Sequence, residues 1–96
     1  MAAYVIFDIN VQEAIGYEEY RQAGSPSVSQ HGGKYIVRGG KVEVLEGDWR
    51  PNRVVVIEFE SFDLAKRLYN SPEYQAALPG RLRTAVSKVL IVEGLP

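Results

Sequence analysis

The stretch RVVVIEFE, residues 53–60, constrains the fold most, because its near-continuous apolar run predicts a strand buried on both faces. Three further stretches have strand character: residues 3–9, 34–38 and 87–93. Helical patterns lie between the first and second strands and before the last one. The resulting order, β-α-β-β-α-β, predicts an α+β fold of the ferredoxin-like kind with an antiparallel sheet.

The helix boundaries are predicted from caps and prolines. Asn10, with Glu13 three residues later, fits an N-cap with a capping box. The segment AGSPS then predicts a break in the first helix, with Pro26 opening a short second helix that ends at Gly32. The later helices are predicted to begin after Ser61 and Ser71, and Pro79–Gly80 is predicted to kink or break the last one.

The segment HGGKYIVRGG, residues 31–40, brackets the second strand with two glycine pairs. It matches neither of the glycine motifs that hold phosphates, and it precedes a strand rather than a helix. The first pair is therefore predicted to close a helix. Gly39–Gly40 predicts either a hairpin turn or a bulge within one bent strand that continues through residues 41–46.

The length of 96 residues predicts a single domain, 1–96, with one modest core. In a ferredoxin-like fold the helices cover one sheet face only, yet strands 53–60 and 87–93 look apolar on both faces. The second face therefore needs a cover, and for a short chain another copy of itself is the expected one. The sequence predicts a homodimer.

Composition excludes several classes of function. Eleven basic and twelve acidic residues are spread evenly, which argues against a nucleic acid or a membrane surface as partner. There is no cysteine, and the single histidine rules out a histidine-based metal cluster, so no metal site and no cofactor are predicted. With no signal peptide or membrane span recognisable, a cytoplasmic location is expected.

Two residues are candidates for moving a proton. His31 is the only side chain whose ordinary pKa suits proton transfer near neutral pH, although a capping or exposed histidine explains it as well. Glu58 shares a strand face with Val54 and Val56, where a carboxylate needs a partner or a shifted pKa. It is predicted as an acid or base, or as a member of a buried salt bridge.

Five residues are candidates for ligand binding. Arg38 is predicted on the strand face of Lys34 and Ile36, where it either holds a carboxylate or pairs with Glu46 or Glu58. Arg81 interrupts an apolar helical stripe, which predicts a cavity or a dimer ion pair. The remaining three are tyrosines that suit a small-molecule pocket or the core: Tyr20, Tyr69 and Tyr74. Trp49, in the loop EGDWRP, is predicted to cover either a pocket or the dimer contact, with the dimer contact preferred.

The chain also resembles a known family. The stretches YVIFDI, YEEYR, HGGKYIVRGG, VEVLEGDW, RVVVIEF, LYNSPEYQ and VLIVEG resemble, in this order, the domain of unknown function 1330 family. The resemblance implies the dimeric α/β-barrel superfamily, in which two ferredoxin-like sheets pack face to face. It also implies a pocket between the sheet and its own helices. The segment ALPGRLR departs from the family pattern and puts that side of the pocket in doubt.

Two hypotheses about function follow. In the first, the protein is a binding or structural homodimer with a small-molecule pocket, and its partners are a second copy and a small anionic organic molecule. In the second, it is a cofactor-independent enzyme, monooxygenase- or isomerase-like, acting on a small organic acid or ketone. The second hypothesis requires at least two of the candidate groups to meet in one cavity.

Overall fold

The computed structural model describes residues 1–96 and contains four strands and three helices. In chain order they are β1 (Ala3–Val11), α1 (Ala14–Gln30), β2 (Lys34–Arg38), β3 (Arg53–Phe59), α2 (Phe62–Asn70), α3 (Pro72–Thr84) and β4 (Ala85–Glu93). All strand pairs are antiparallel, in the order β2-β3-β1-β4. This is the predicted ferredoxin-like arrangement, with the second helical segment divided into α2 and α3. No helix is long and apolar enough to cross a membrane.

The core lies between the helices and one face of the sheet. Along β1 every second side chain from Ala3 to Ile9 is buried, as the period of two in a strand requires. The matching positions of β3, from Val55 to Phe59, are buried beside them. From the helices, Val28, Ala65 and Leu68 pack onto this layer.

Helix α1 differs from its prediction at both points where the sequence suggested a boundary. Its N-cap is Glu13 rather than Asn10, since β1 continues to Val11 and the Glu13 carboxylate accepts a hydrogen bond of 2.7 Å from the Gly16 backbone N–H. The predicted break at Pro26 is also wrong, because one helix runs through this residue. Burial of Val28 on the sheet holds the last turns in place although Pro26 donates no hydrogen bond.

The predictions for α2 and α3 are confirmed at their N-termini, whereas the break predicted as one alternative at Pro79 does not occur. The Ser61 and Ser71 hydroxyls accept hydrogen bonds from the Leu64 and Tyr74 backbone N–H groups, as N-caps do. Helix α3 continues through Pro79 to Thr84, whose hydroxyl donates to the Gly80 carbonyl. The buried side chains of this helix on both sides of the proline anchor it to the core.

Strand β2 contains a bulge, and its position changes which side chains share a face. Tyr35 pairs with Ile57 and Val37 pairs with Val56, so Ile36 is the extra residue. The glycines therefore form neither a hairpin turn nor a bulge. β2 ends at Arg38, Gly39 adopts a φ of 75°, and residues 39–52 form a loop rather than a strand.

The bulge places Arg38 opposite Val55, on the face that the helices cover. An unbroken strand would have put it with Lys34 and Ile36, as predicted from the period of two. That prediction is wrong because one extra residue reverses the face of every side chain beyond it.

The other face of the sheet has no cover. Its central positions are apolar and only half-buried, and on β4 the side chains of Leu90 and Val92 are 55% and 44% exposed. Glu58 lies on this face with Val54 and Val56, as predicted, and is paired in register with Tyr4 and Lys34.

Candidate functional site

A pocket of about 420 Å³, counted to its open mouth, lies between α1 and the covered face of the sheet. The volume that the centre of a water molecule can reach is only about 30 Å³, so the pocket is a narrow slot. Strand side chains form its apolar floor: Phe7, Ile9, Val55 and Ile57. Its polar lining consists of four tyrosines, three arginines and one serine: Tyr17, Tyr20, Tyr35, Tyr74, Arg21, Arg38, Arg53 and Ser25.

One face of α1 supplies much of this lining. Tyr20 and Arg21 follow Tyr17 by three and four residues, and Gly24 follows Tyr20 by four, which places them on the same side of the helix. The apolar residue Ile15 of the same helix is 75% exposed. The face of α1 that lines the pocket therefore carries aromatic and basic side chains, and a search for hydrophobic periodicity does not identify it.

Two of the three pocket arginines, Arg38 and Arg53, lack acidic partners. The chain contains one salt bridge, in which Arg21 binds Glu18 at 3.0 Å. Arg38 stacks over the Tyr35 ring at 4.3 Å from its centroid and forms no ion pair with Glu46 or Glu58. The buried Nε of Arg53 has no hydrogen-bond partner. Because no carboxylate lines the pocket, the charges of Arg38 and Arg53 are uncompensated there.

Gly39 determines where Arg53 can lie. A Cβ atom on Gly39 would collide with the Arg53 guanidinium, and the φ of 75° is one that side chains other than glycine rarely adopt. The Gly39 backbone N–H also donates to the Val54 carbonyl at 2.8 Å. The glycine after β2 thus makes room for a cation from β3.

Two of the tyrosines that line the pocket and a buried arginine beyond them form a polar cluster. The Tyr20 and Tyr74 hydroxyls are hydrogen-bonded at 2.7 Å. Arg81 is 2% exposed and lies between the Phe7 and Tyr20 rings, 5.7 and 5.8 Å from their centroids. It donates to the Ser87 hydroxyl through Nη1, while its Nε has no partner. Arg81 neither lines the pocket nor forms an ion pair.

Burial raises the pKa of two of the pocket tyrosines. Burial raises the pKa of the Tyr20 hydroxyl above its ordinary value near 10, and the adjacent Tyr74 raises it further. Burial also raises the pKa of Tyr17, against the opposing effect of the Arg53 guanidinium. At neutral pH these hydroxyls are hydrogen-bond donors, not bases.

Three of the seven residues predicted as site residues line the pocket: Tyr20, Arg38 and Tyr74. The other four lie elsewhere. His31 ends α1, with its Nδ1 2.8 Å from the Ser27 carbonyl, and Glu58 is on the uncovered face. Tyr69 belongs to a separate apolar cavity beside β4, and Arg81 lies behind the pocket. The two proton-moving candidates thus share no cavity with the ligand-binding ones.

Sequence reasoning missed Tyr17, Arg21, Tyr35 and Arg53 as lining residues. The helical spacing of Tyr17, Tyr20 and Arg21 was an available signal. No signal was available for Arg53, because its place depends on the register of β3. Trp49 donates to Asp8 at 2.9 Å and lies away from the pocket. No group of three histidine, aspartate or glutamate side chains is arranged to hold a metal ion.

The family model "Domain of unknown function (DUF1330)" matches residues 2–95. The chain belongs to this family. The DUF1330 assignment agrees with the resemblance noted in the sequence and covers almost the whole chain. No curated protein matches the chain.

Solved structures share the DUF1330 chain's fold at low sequence identity. The RPA0582 protein of unknown function from Rhodopseudomonas palustris is 20% identical, with a TM-score of 0.78 over 99% of this chain and 83% of its own. SnoaB, a cofactor-independent oxygenase from Streptomyces nogalater, is 12% identical, with a TM-score of 0.63 and coverages of 99% and 93%.

A third structure, from Caulobacter crescentus CB15, is of a proposed antibiotic biosynthesis monooxygenase. It is 14% identical, with a TM-score of 0.68 and coverages of 99% and 91%. At these identities the likeness shows the ferredoxin-like fold and nothing about the reaction.

Proposed function

We propose that the protein is a homodimer that binds a small anionic organic molecule in the slot between α1 and the sheet. The observation that carries the proposal is the set of pocket arginines without acidic partners. Arg38 and Arg53 have no carboxylate within salt-bridge distance, and none lines the pocket. Arg53 is half-buried and Arg38 is exposed. A half-buried cation without a counter-ion is costly, so a bound anion would stabilise Arg53 in this position.

The shape and lining of the pocket narrow the ligand class. The slot is narrow, and four tyrosine rings with an apolar floor form most of its walls. Such walls favour a flat, unsaturated or aromatic body. A guanidinium binds a carboxylate with two parallel hydrogen bonds. The ligand is therefore a small planar carboxylate, with its acid group at Arg38 and Arg53.

Benzoate tests this proposal directly. We expect it to bind the wild-type protein at millimolar concentration or below, measured by isothermal titration and by chemical-shift changes of the pocket amides. Arg53→Gln should weaken binding about tenfold or more, because a hydrogen bond to a charged group is worth about 1.5–3 kcal/mol. Arg67→Gln, an exposed arginine on α2, is the matched control and should leave the affinity unchanged.

The contradicting outcomes are equally specific. If benzoate and salicylate both fail to bind at millimolar concentration, the pocket is not a carboxylate site. Equal losses of affinity in Arg53→Gln and Arg67→Gln would assign the effect to net charge rather than to the pocket.

The homodimer is supported by the uncovered sheet face and by the loop beside it. The subunit is flat, 32 × 30 × 16 Å over Cα atoms, so this face is on the order of the ~800 Å² per partner that stable interfaces bury. The loop residues 40–51 form no backbone–backbone hydrogen bond, and Leu45 and Trp49 are 87% and 57% exposed. Apolar side chains and free backbone groups together favour a second copy as the cover.

A cofactor-independent enzyme acting on a small organic acid or ketone is the second candidate. It is favoured by the fold shared with SnoaB, a cofactor-independent oxygenase, and by the presence of a pocket on the covered face. The lining contains no histidine or carboxylate, so an isomerase-like proton transfer would lack a base there. Recovery of a bound ligand chemically unchanged after prolonged incubation in air separates binding from turnover.

A further inference from the structure

The hydroxyl pair of Tyr20 and Tyr74 has one hydrogen atom more than its own hydrogen bond uses. Each hydroxyl carries one donor hydrogen, and the 2.7 Å bond between them uses one of the two. Neither hydroxyl makes another hydrogen bond within the protein. Both tyrosines line the slot, and a ligand oxygen that reached their hydroxyls would find the second hydrogen free.

The groups around the hydroxyl pair determine which kind of acceptor suits this hydrogen. Arg81, buried beside the Tyr20 ring, is a donor only and cannot accept it. Its positive charge in turn favours a negative or partly negative oxygen nearby. Because burial raises the pKa of Tyr20, this hydroxyl keeps its hydrogen at neutral pH.

We propose that the Tyr20–Tyr74 pair, with Arg81 behind it, donates one hydrogen bond to a ketone or enolate oxygen of the ligand. This inference rests on the proposed function, in which Arg38 and Arg53 hold the carboxylate of the same molecule. The arginines come from the strands and the hydroxyls from the helices. The ligand class is thereby narrowed from a planar carboxylate to a planar keto acid.

The test compares ligands of matched shape. The probes are 3- and 4-acetylbenzoate, each paired with the isopropylbenzoate that replaces the ketone by a carbon group of similar size. We expect at least one acetyl isomer to bind about tenfold more tightly than its isopropyl partner, since one hydrogen bond to the ligand separates the two.

Variants that remove one or both tyrosine hydroxyls test this count of hydrogens. Tyr20→Phe or Tyr74→Phe leaves one hydroxyl hydrogen free, as in the wild type, so each single variant should retain a preference for the ketone. Tyr20→Phe/Tyr74→Phe leaves none, and the ratio of ketone to isopropyl affinity should fall to about one. Tyr4→Phe, on the uncovered face, is the matched control and should behave as wild type.

Two results would overturn the inference while leaving the anion pocket intact: equal binding of ketone and isopropyl probes to the wild type, or a ketone preference that survives in the double variant. Failure of benzoate itself to bind would overturn the proposed function and this inference together. Circular dichroism and retained benzoate binding establish that the double variant is folded.

Discussion

The two faces of this sheet are built from the same strands but carry different kinds of side chain. On β3, Val55 and Ile57 face the helices, whereas Val54 and Val56 face away from them. The covered face holds a slot lined by tyrosines and arginines, while the uncovered face is largely apolar. The covered face thus adds arginines to a hydrophobic core, and the uncovered face carries apolar side chains that no helix covers. This difference supports the proposal of a binding site on the inner face and a contact surface on the outer one.

The largest difference between the faces should appear in the stability of the isolated subunit. Ile57, on the covered face, is 2% exposed, while Ile6 faces the other way on the adjacent strand. Ile57→Ala should lower the free energy of unfolding by about 2–5 kcal/mol, because it leaves a cavity in the core. Ile6→Ala removes the same atoms from a half-buried site and should cost clearly less.

The free energies of unfolding are measured by urea denaturation. Both variants are made in a protein that also carries Leu90→Lys, a substitution expected to keep the subunit monomeric. Equal losses of stability would show that the outer face is packed within the subunit and that the comparison between the faces is false.

The second-largest effect is expected on the dissociation constant of the dimer. Leu90 is 55% exposed on the uncovered face, so Leu90→Lys should leave the subunit folded. In the proposed dimer the lysine would be buried without a partner, and the dissociation constant should rise about 100-fold. Sedimentation velocity over a range of concentrations measures it.

Leu82→Lys is the matched control for this experiment. Leu82 is 64% exposed on α3, away from the sheet, and the change should leave the dimer intact. A wild-type protein that sediments as a monomer at micromolar concentration would contradict the dimer.

The smallest expected effect is a dependence of stability on alkaline pH. The pKa of Tyr20 is raised in the folded state above the unfolded value near 10. Folding therefore gains stability from Tyr20 while both states are protonated, below pH about 10, and loses it as the unfolded state releases its proton at higher pH. Each such proton contributes a slope of about 1.4 kcal/mol per pH unit.

Tyr20→Phe should make the loss of stability above pH 10 less steep. Denaturant unfolding at a series of pH values between 8 and 11 gives the two slopes. Identical slopes for wild type and variant would show that the inner face does not perturb this hydroxyl.

Much of the fold could be predicted because its signals are local. The apolar run at residues 53–60, the period of two in β1, and the serine caps at Ser61 and Ser71 each act within a few residues. The element order then leaves few ways to arrange the sheet. The resemblance to the DUF1330 family rests on the same local stretches.

The site was less predictable because its geometry depends on distant residues. The helix breaks expected at Pro26 and Pro79 do not occur, since burial of Val28 and of the α3 side chains outweighs the lost backbone hydrogen bonds. The face of Arg38 could not be read from alternation, because the bulge at Ile36 depends on pairing with β3.

The sequence by itself determined the order of the elements, the antiparallel sheet and the apolar character of both its faces, because alternation and capping are properties of short segments. Only the tertiary structure decided which polar residues meet. Arg38 and Arg53 face the same slot because a bulge in β2 and the register of β3 bring them there, and Tyr20 meets Tyr74 because α1 packs against α3. Such contacts join residues up to 54 positions apart, and no local pattern in the chain encodes them.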